Sequence, residues 1–235
     1  MSPDTLVLGG LWYITFLLST TCHEGAHALV AKWGGDDTAF RGGQVSLNPL
    51  PHIQREPFGM ILAPVITYFL MGWMLGWASA PYDPFWAARH PKRAGWMALA
   101  GPAANFLLVI LAGLALYIGI NSGHFVFGMG SSDAAPAQQI AQLFGAPEGS
   151  PLGGLASFLS ILFTLNLLLG TFNLIPAPPL DGSTAILVAL PTKAAQRYME
   201  WLSNPMIGMV GILLAWTLFP RIFGPILRAA ISIFH

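Results

Sequence analysis

Residues 6–30 read LVLGGLWYITFLLSTTCHEGAHALV, and this stretch decides the class of fold. Its acidic and basic groups are confined to His23, Glu24 and His27. The run exceeds the roughly 18–20 apolar residues that cross a bilayer. It is too long for a signal-peptide core and lacks a basic start and a small-residue cleavage site, so it reads as a retained membrane helix.

Four further stretches carry no Asp, Glu, Lys or Arg: Phe58–Tyr82, Ala94–Asn121, Gly149–Leu180 and Trp201–Pro220. The 235-residue chain is 54% hydrophobic and 9% charged, against about 25% charged in soluble proteins. Each apolar stretch is too uniform for a surface helix, and backbone groups in lipid must be satisfied internally, so helix is expected for all. The expected fold is an all-α polytopic membrane protein, a bundle of about four to six membrane segments forming a single domain over 1–235. No loop is long enough for a second folded unit, and no internal repeat is visible. With zero formal charge and no strong Lys/Arg cluster there is no footprint for nucleic acid. The single Cys22 cannot form an internal disulfide.

Between the first two apolar stretches, Phe40–Pro51 (FRGGQVSLNPLP) has turn residues at both ends and an alternating centre, which predicts a short β-hairpin or edge strand. The Gly/Ser/Ala/Pro-rich residues from Ser122 to about Leu152 predict a loop with some helix.

Charge sets the topology. Lys32, Arg41 and Arg55 follow the first stretch, and Arg89, Lys92 and Arg93 follow the second. If every stretch crossed, these two basic loops would face opposite sides, against the positive-inside tendency. They share the cytoplasmic side if Phe58–Tyr82 is a re-entrant hairpin, and Gly59, Pro64, Gly72 and Gly76 suit such a broken segment. Lys193 and Arg197 then also fall inside, and the chain from Pro205 makes one more crossing followed by a tail holding Arg221 and Arg228.

His23-Glu24-Gly25-Ala26-His27 is H-E-x-x-H, and the i, i+4 spacing on a helix puts both imidazoles on one face. Glu24 beside them can take a proton from water acidified by zinc and pass it to a leaving amine. The bland reading is a solvated helix face, but these groups lie inside an otherwise uncharged spanning segment, where ionisable residues are expensive and mark function. Catalytic zinc usually has three protein ligands. Asp181, after a proline-rich run from Asn173 to Leu180, is a third ligand on this view, or equally a helix cap or surface charge.

Three motifs occur in order: His23–His27, Gly101-Pro102-Ala103-Ala104-Asn105, and Phe172-Asn173-x-x-Pro176-x-x-x-x-Asp181-Gly182. Together they resemble the site-2 protease family of intramembrane metalloproteases over nearly the whole chain. Ser46-Leu47-Asn48-Pro49-Leu50-Pro51-His52 also resembles minimal bacterial members. The resemblance implies membrane helices enclosing one zinc ion, held by His23, His27 and Asp181, with Glu24 as general base. It implies a multi-pass protein of the bacterial inner (plasma) membrane, whose partners are the lipid bilayer and a transmembrane substrate that must unwind before cleavage. An extended substrate could pair with the edge expected at Phe40–Pro51. Many members carry a PDZ or other regulatory module, for which this chain has no room.

Asn105 and Asn173 match polar family positions and are candidate substrate-binding residues, holding the substrate backbone or an oxyanion; interhelical hydrogen bonding is the competing use. His52, His90, His124 and His235 are read as non-catalytic, with His52 a candidate cavity residue. Trp96 and Trp201 suit interface anchors. Two other classes compete: a metal-binding membrane protein without activity, which would not need Glu24, and a metal transporter, which would need acidic or His pairs on more helices.

Overall fold

The structure, a computed structural model, describes residues 3–128 and 133–234. The first half runs α1 (Pro3–Trp33), α2 (Thr38–Arg41), α3 (Pro49–Arg55), a π-helical turn Phe58–Leu62 leading into α4 (Ala63–Met71), α5 (Pro84–Arg89) and α6 (Pro91–Asn121). The second half runs β1 (Val126–Phe127), α7 (Pro136–Ala141), β2 (Phe144–Gly145), α8 (Gly153–Asn173), α9 (Asp181–Ala185), α10 (Thr192–Leu202) and α11 (Pro205–Ile231). The chain is an all-α, multi-pass membrane protein. Its helices α1, α6, α8 and α11 are each long and apolar enough to cross a bilayer.

Helix α6 lies along both α1 and α8. The most enclosed of the four is α8, with buried residues from Ala156 to Gly170, whereas α11 buries only Gly211 and Ala215. Ala31, Trp86, Ala94, Met97, Leu187 and Ala195 form a cluster that joins α1, α5, α6 and α10 at one end of the bundle. Lys32, Arg89, Lys92, Arg93, Lys193 and Arg197 flank this cluster in the chain, so these basic residues share one end, as the positive-inside tendency requires. At the other end Phe125, Phe144, Phe163 and Phe234 pack together around β1 and β2.

Residues 58–82 double back. The helical part, Phe58–Met71, is about 21 Å long at 1.5 Å per residue, short of the ~30 Å hydrocarbon layer. It ends at Gly72, whose φ of +72° reverses the chain without the clash a side chain would meet. The return arm is extended: the Leu75 amide donates to Thr67 Oγ1 (2.8 Å) and the Trp77 amide to the Gly59 carbonyl (3.1 Å). Ser79 then closes the base, donating to Glu56 and receiving the Arg55 Nε–H at 3.2 Å. Gln44 Nε2 donates to the Ser79 carbonyl at 3.3 Å, which puts the loop before α3 beside the end of the hairpin.

Two expectations need correction. No strand forms within Phe40–Pro51; Phe40 and Arg41 finish α2, and α3 begins at Pro49. The Asn48 side chain accepts the Leu50 amide at 3.0 Å and Pro49 occupies the first helical turn, a helix start that outweighs the alternating pattern. The antiparallel pair is instead Val126–Phe127 with Phe144–Gly145, inside the stretch expected to be mostly loop. The expected tail is the second correction: α11 continues through Pro220 and Pro225 to Ile231, so Arg221 and Arg228 lie on the crossing helix itself.

Candidate metal centre

His23 and His27 sit one turn apart on α1, and their Nε2 atoms approach to 3.0 Å. Asp181, the first residue of α9, brings Oδ2 to 3.1 Å from His23 Nε2 and 3.3 Å from His27 Nε2. Three prolines at 176, 178 and 179 end α8 and steer the chain back to this point. The three residues form a group whose ligand atoms could hold one metal ion.

The donor set fits zinc. With Zn–N of about 2.0–2.1 Å, a tetrahedral site has ligand–ligand edges of about 3.3 Å, close to the three edges found. His27 Nδ1 lies 2.7 Å from the Met97 carbonyl, which can only accept, so Nδ1 carries the hydrogen and Nε2 presents a lone pair. Asp181 Oδ2 is buried without a hydrogen-bond donor. Acceptors this close, out of water, call for a cation between them. Helix α6 leaves room for one: a Cβ on Gly101 would strike His27 Nε2 and lie 2.6 Å from His23 Nε2.

Glu24 is buried beside the histidines, and no side-chain hydrogen bond occupies it among the described residues. Gly25, next along, lets the main chain of the 42–48 loop pass close to the motif, since its Cβ position would lie 3.2 Å from the Ser46 carbonyl. His52 is buried in α3 and its Nε2 donates to that same carbonyl at 3.2 Å. A cavity of about 750 Å³ is lined by Met97, whose carbonyl meets His27, and by Pro178, Pro179, Ser183 and Thr184, which flank Asp181 in the chain, with Glu200 at its wall.

Asn105 is fully buried, and both ends of its amide are engaged: Oδ1 lies 2.6 Å from His23 Nδ1 and Nδ2 donates to Asn166 Oδ1 at 2.8 Å. Both ends of this amide are thus used in hydrogen bonds between helices, the competing use weighed for it. Asn173 stands half-buried at the end of α8. His90 is half-buried at the start of α6, His124 is exposed and bonded to Ser122, and His235 lies outside the described residues. Trp96 and Trp201 are exposed.

Sequence reasoning missed Asn166 and Ser19, which extend the hydrogen bonds of Asn105 into the bundle. A signal was present. Thr15, Ser19, His23 and His27 recur every four residues, one polar stripe on an apolar helix, and Asn166 is an isolated amide in an uncharged segment.

Fold and site together define a multi-pass membrane protein with a buried His-His-Asp centre of the metallopeptidase type. The model of peptidase family M50 matches residues 12–218, and the chain belongs to this family of site-2-protease-like metalloproteases. It is 35% identical over 170 residues to a Bacillus subtilis (strain 168) protein named "Putative zinc metalloprotease YwhC". That alignment covers 72% of this chain and 64% of the relative, so the chain matches less than two thirds of the relative's length. No solved structure matches.

Proposed function

We propose that the chain is an intramembrane zinc endopeptidase of the bacterial plasma membrane, hydrolysing peptide bonds within or beside transmembrane segments of membrane proteins. The observation that carries this reading is the convergence of His23 Nε2 and His27 Nε2, on a helix long and apolar enough to span, with Asp181 Oδ2 at 3.0–3.3 Å, and with Glu24 buried next to them. On this reading one zinc ion per chain is held by His23, His27 and Asp181. When bound, zinc polarises a carbonyl and acidifies water.

The chain's own residues supply the rest. Met97 and Asn105 orient the two imidazoles. Glu24 takes the proton of the attacking water and returns it to the amine that leaves. Asn173 is the remaining amide available to hold the substrate backbone or an oxyanion. A helical substrate hides its carbonyls in internal bonds, so it must unwind before it can be cut, and the lipid bilayer delivers it laterally. Nucleic acid is not a partner.

Metal analysis and a substrate panel test this. The detergent-purified protein is expected to hold about one zinc per chain, and Asp181→Ala much less. The wild type should cut some members of a panel of single-span membrane proteins that Glu24→Gln leaves intact. Equal zinc in wild type and Asp181→Ala, or cleavage by Glu24→Gln, would defeat the assignment.

A further inference from the structure

We propose that Asn166 is a positioning residue of the metal centre: acting through Asn105, it holds His23 in the tautomer that presents the Nε2 lone pair to the metal. The inference rests on His23 being a ligand and extends the centre to residues that never touch the ion.

The direction of every bond follows from two main-chain carbonyls, which can only accept. Asn166 lies 2.8 Å from the Leu162 carbonyl and 2.8 Å from Ser19 Oγ through the same amide end. Ser19 gives its own hydrogen to the Thr15 carbonyl at 2.7 Å, so it meets Asn166 as an acceptor. Two acceptors at one end of the amide require the NH2 group there. Asn166 Oδ1 must then face Asn105, and it receives the Asn105 Nδ2–H at 2.8 Å. Asn105 can present only Oδ1 to His23 Nδ1, 2.6 Å away, and that nitrogen must carry the hydrogen.

Thr15, Ser19, Asn105 and Asn166 are all 0% exposed. Water therefore cannot relieve a reversed amide, which would leave acceptors facing acceptors at a full desolvation penalty. Without Asn166 the Asn105 amide is free to turn. Its NH2 would then face His23 Nδ1 and favour the tautomer with hydrogen on Nε2, where the metal belongs. His27 is held by a carbonyl, which has no wrong orientation, so the two ligands differ in how they are set.

The first test reads the wild-type protein. In the metal-free, full-length protein carrying 15N-labelled histidine, the spectrum should show His23 protonated on Nδ1, with the signal assigned by its absence in His23→Gln. An Nδ1 without a hydrogen overturns the proposal, and it does so even if the wild type binds zinc, which separates this failure from failure of the protease reading; a hydrogen on Nε2 as well is the effect of Asp181 Oδ2, 3.1 Å away in the metal-free protein. The second test is a rescue, read by zinc competition with a chelator. Asn166→Leu should weaken zinc about 10–100-fold and shift the His23 tautomer while leaving that of His27 unchanged. Asn105→Asp alone should also weaken it, because a carboxylate oxygen then meets Asn166 Oδ1. When Asn105→Asp is combined with Asn166→Leu, the carboxylate has no wrong orientation to adopt, and most of the lost affinity should return. A double variant as weak as Asn166→Leu overturns the proposal, as does an Asn166→Leu protein with unchanged zinc affinity.

Discussion

Two regions pack against the part of α1 that carries the histidines, and they do so in different ways. Helices α6 and α8 meet it with polar groups whose hydrogen bonds have a direction: Asn105 on His23, the Met97 carbonyl on His27, and Asn166 tying Asn105 to Ser19. Residues 42–82 approach α1 away from the imidazoles: the Ser46 carbonyl lies beside Gly25, Tyr13 donates to the Met60 carbonyl at 3.1 Å, and Tyr68 donates to the Thr5 carbonyl at 2.9 Å. The first kind of contact fixes which atom points where. The second shapes the space around the centre without bonding to either imidazole. The metal centre is thus specified by orientation and its surroundings by fit.

That contrast predicts that metal binding and cleavage can be separated by substitution. The largest effect should come from Glu24→Gln, which keeps the side chain's size but removes the base. Peptide hydrolysis should fall about 10²–10⁴-fold, with zinc content unchanged; a parallel loss of zinc would mean that Glu24 belongs to the ligand set. Gly101→Ala comes next. Its methyl would land against both imidazole tips, and overpacking of about 1–3 kcal/mol corresponds to roughly a 5- to 150-fold loss of zinc affinity. Full zinc occupancy in this variant at limiting zinc would show that α6 can withdraw from the ligands.

In Gly59→Ala the added methyl would collide with the Trp77 carbonyl across the hairpin. The arms must part, at a similar cost of about 1–3 kcal/mol in hairpin stability. Zinc content should stay at the wild-type value while cleavage falls. Loss of zinc from Gly59→Ala would erase the distinction between the two regions.

The sequence made one of these regions far more legible than the other. Uncharged runs announce spanning helices because lipid leaves the backbone no alternative, and His23 and His27 announce a shared face through their spacing. Asp181 is ambiguous on spacing and is singled out only by its motif, since no local rule says where a proline-rich loop will return. The amide network escapes for a related reason: Asn105, Asn166 and Ser19 are far apart in the chain, and their partnership exists only once three helices pack. The region 42–82 is half legible. Charge balance indicates that Phe58–Tyr82 doubles back, whereas the alternation around Gln44–Leu47 suggests a strand that the Asn48 cap and the prolines of α3 override. The path of α11 through Pro220 and Pro225 is equally hidden, because proline in isolation argues for a helix end.

The smallest effect tests a directional tie away from the metal centre, between the end of α1 and the chain entering α5. Asp36 Oδ1 accepts the Thr38 amide at 3.0 Å and the Thr38 hydroxyl, and Oδ2 accepts the Asp83 amide at 2.9 Å. Burial opposes the charge, but the Thr38 hydroxyl and the amides of Thr38 and Asp83 outweigh it and hold the carboxyl below its usual value. A carboxyl lowered by folding contributes stability above its unfolded pKa of about 3.9, and the contribution disappears as pH falls through the lower folded value. Hydrogen exchange at Thr38 and Asp83, corrected for intrinsic rates, should therefore show constant protection from pH 7 to about 5. Protection should then decline below about pH 4, by no more than roughly 1.5 kcal/mol. Asp36→Asn should show the reduced protection already at pH 7, because its NH2 group cannot accept the Asp83 amide. If protection at Asp83 were the same in Asp36→Asn as in the wild type, the tie would not depend on the direction of its bonds, and that dependence would belong to the metal centre alone.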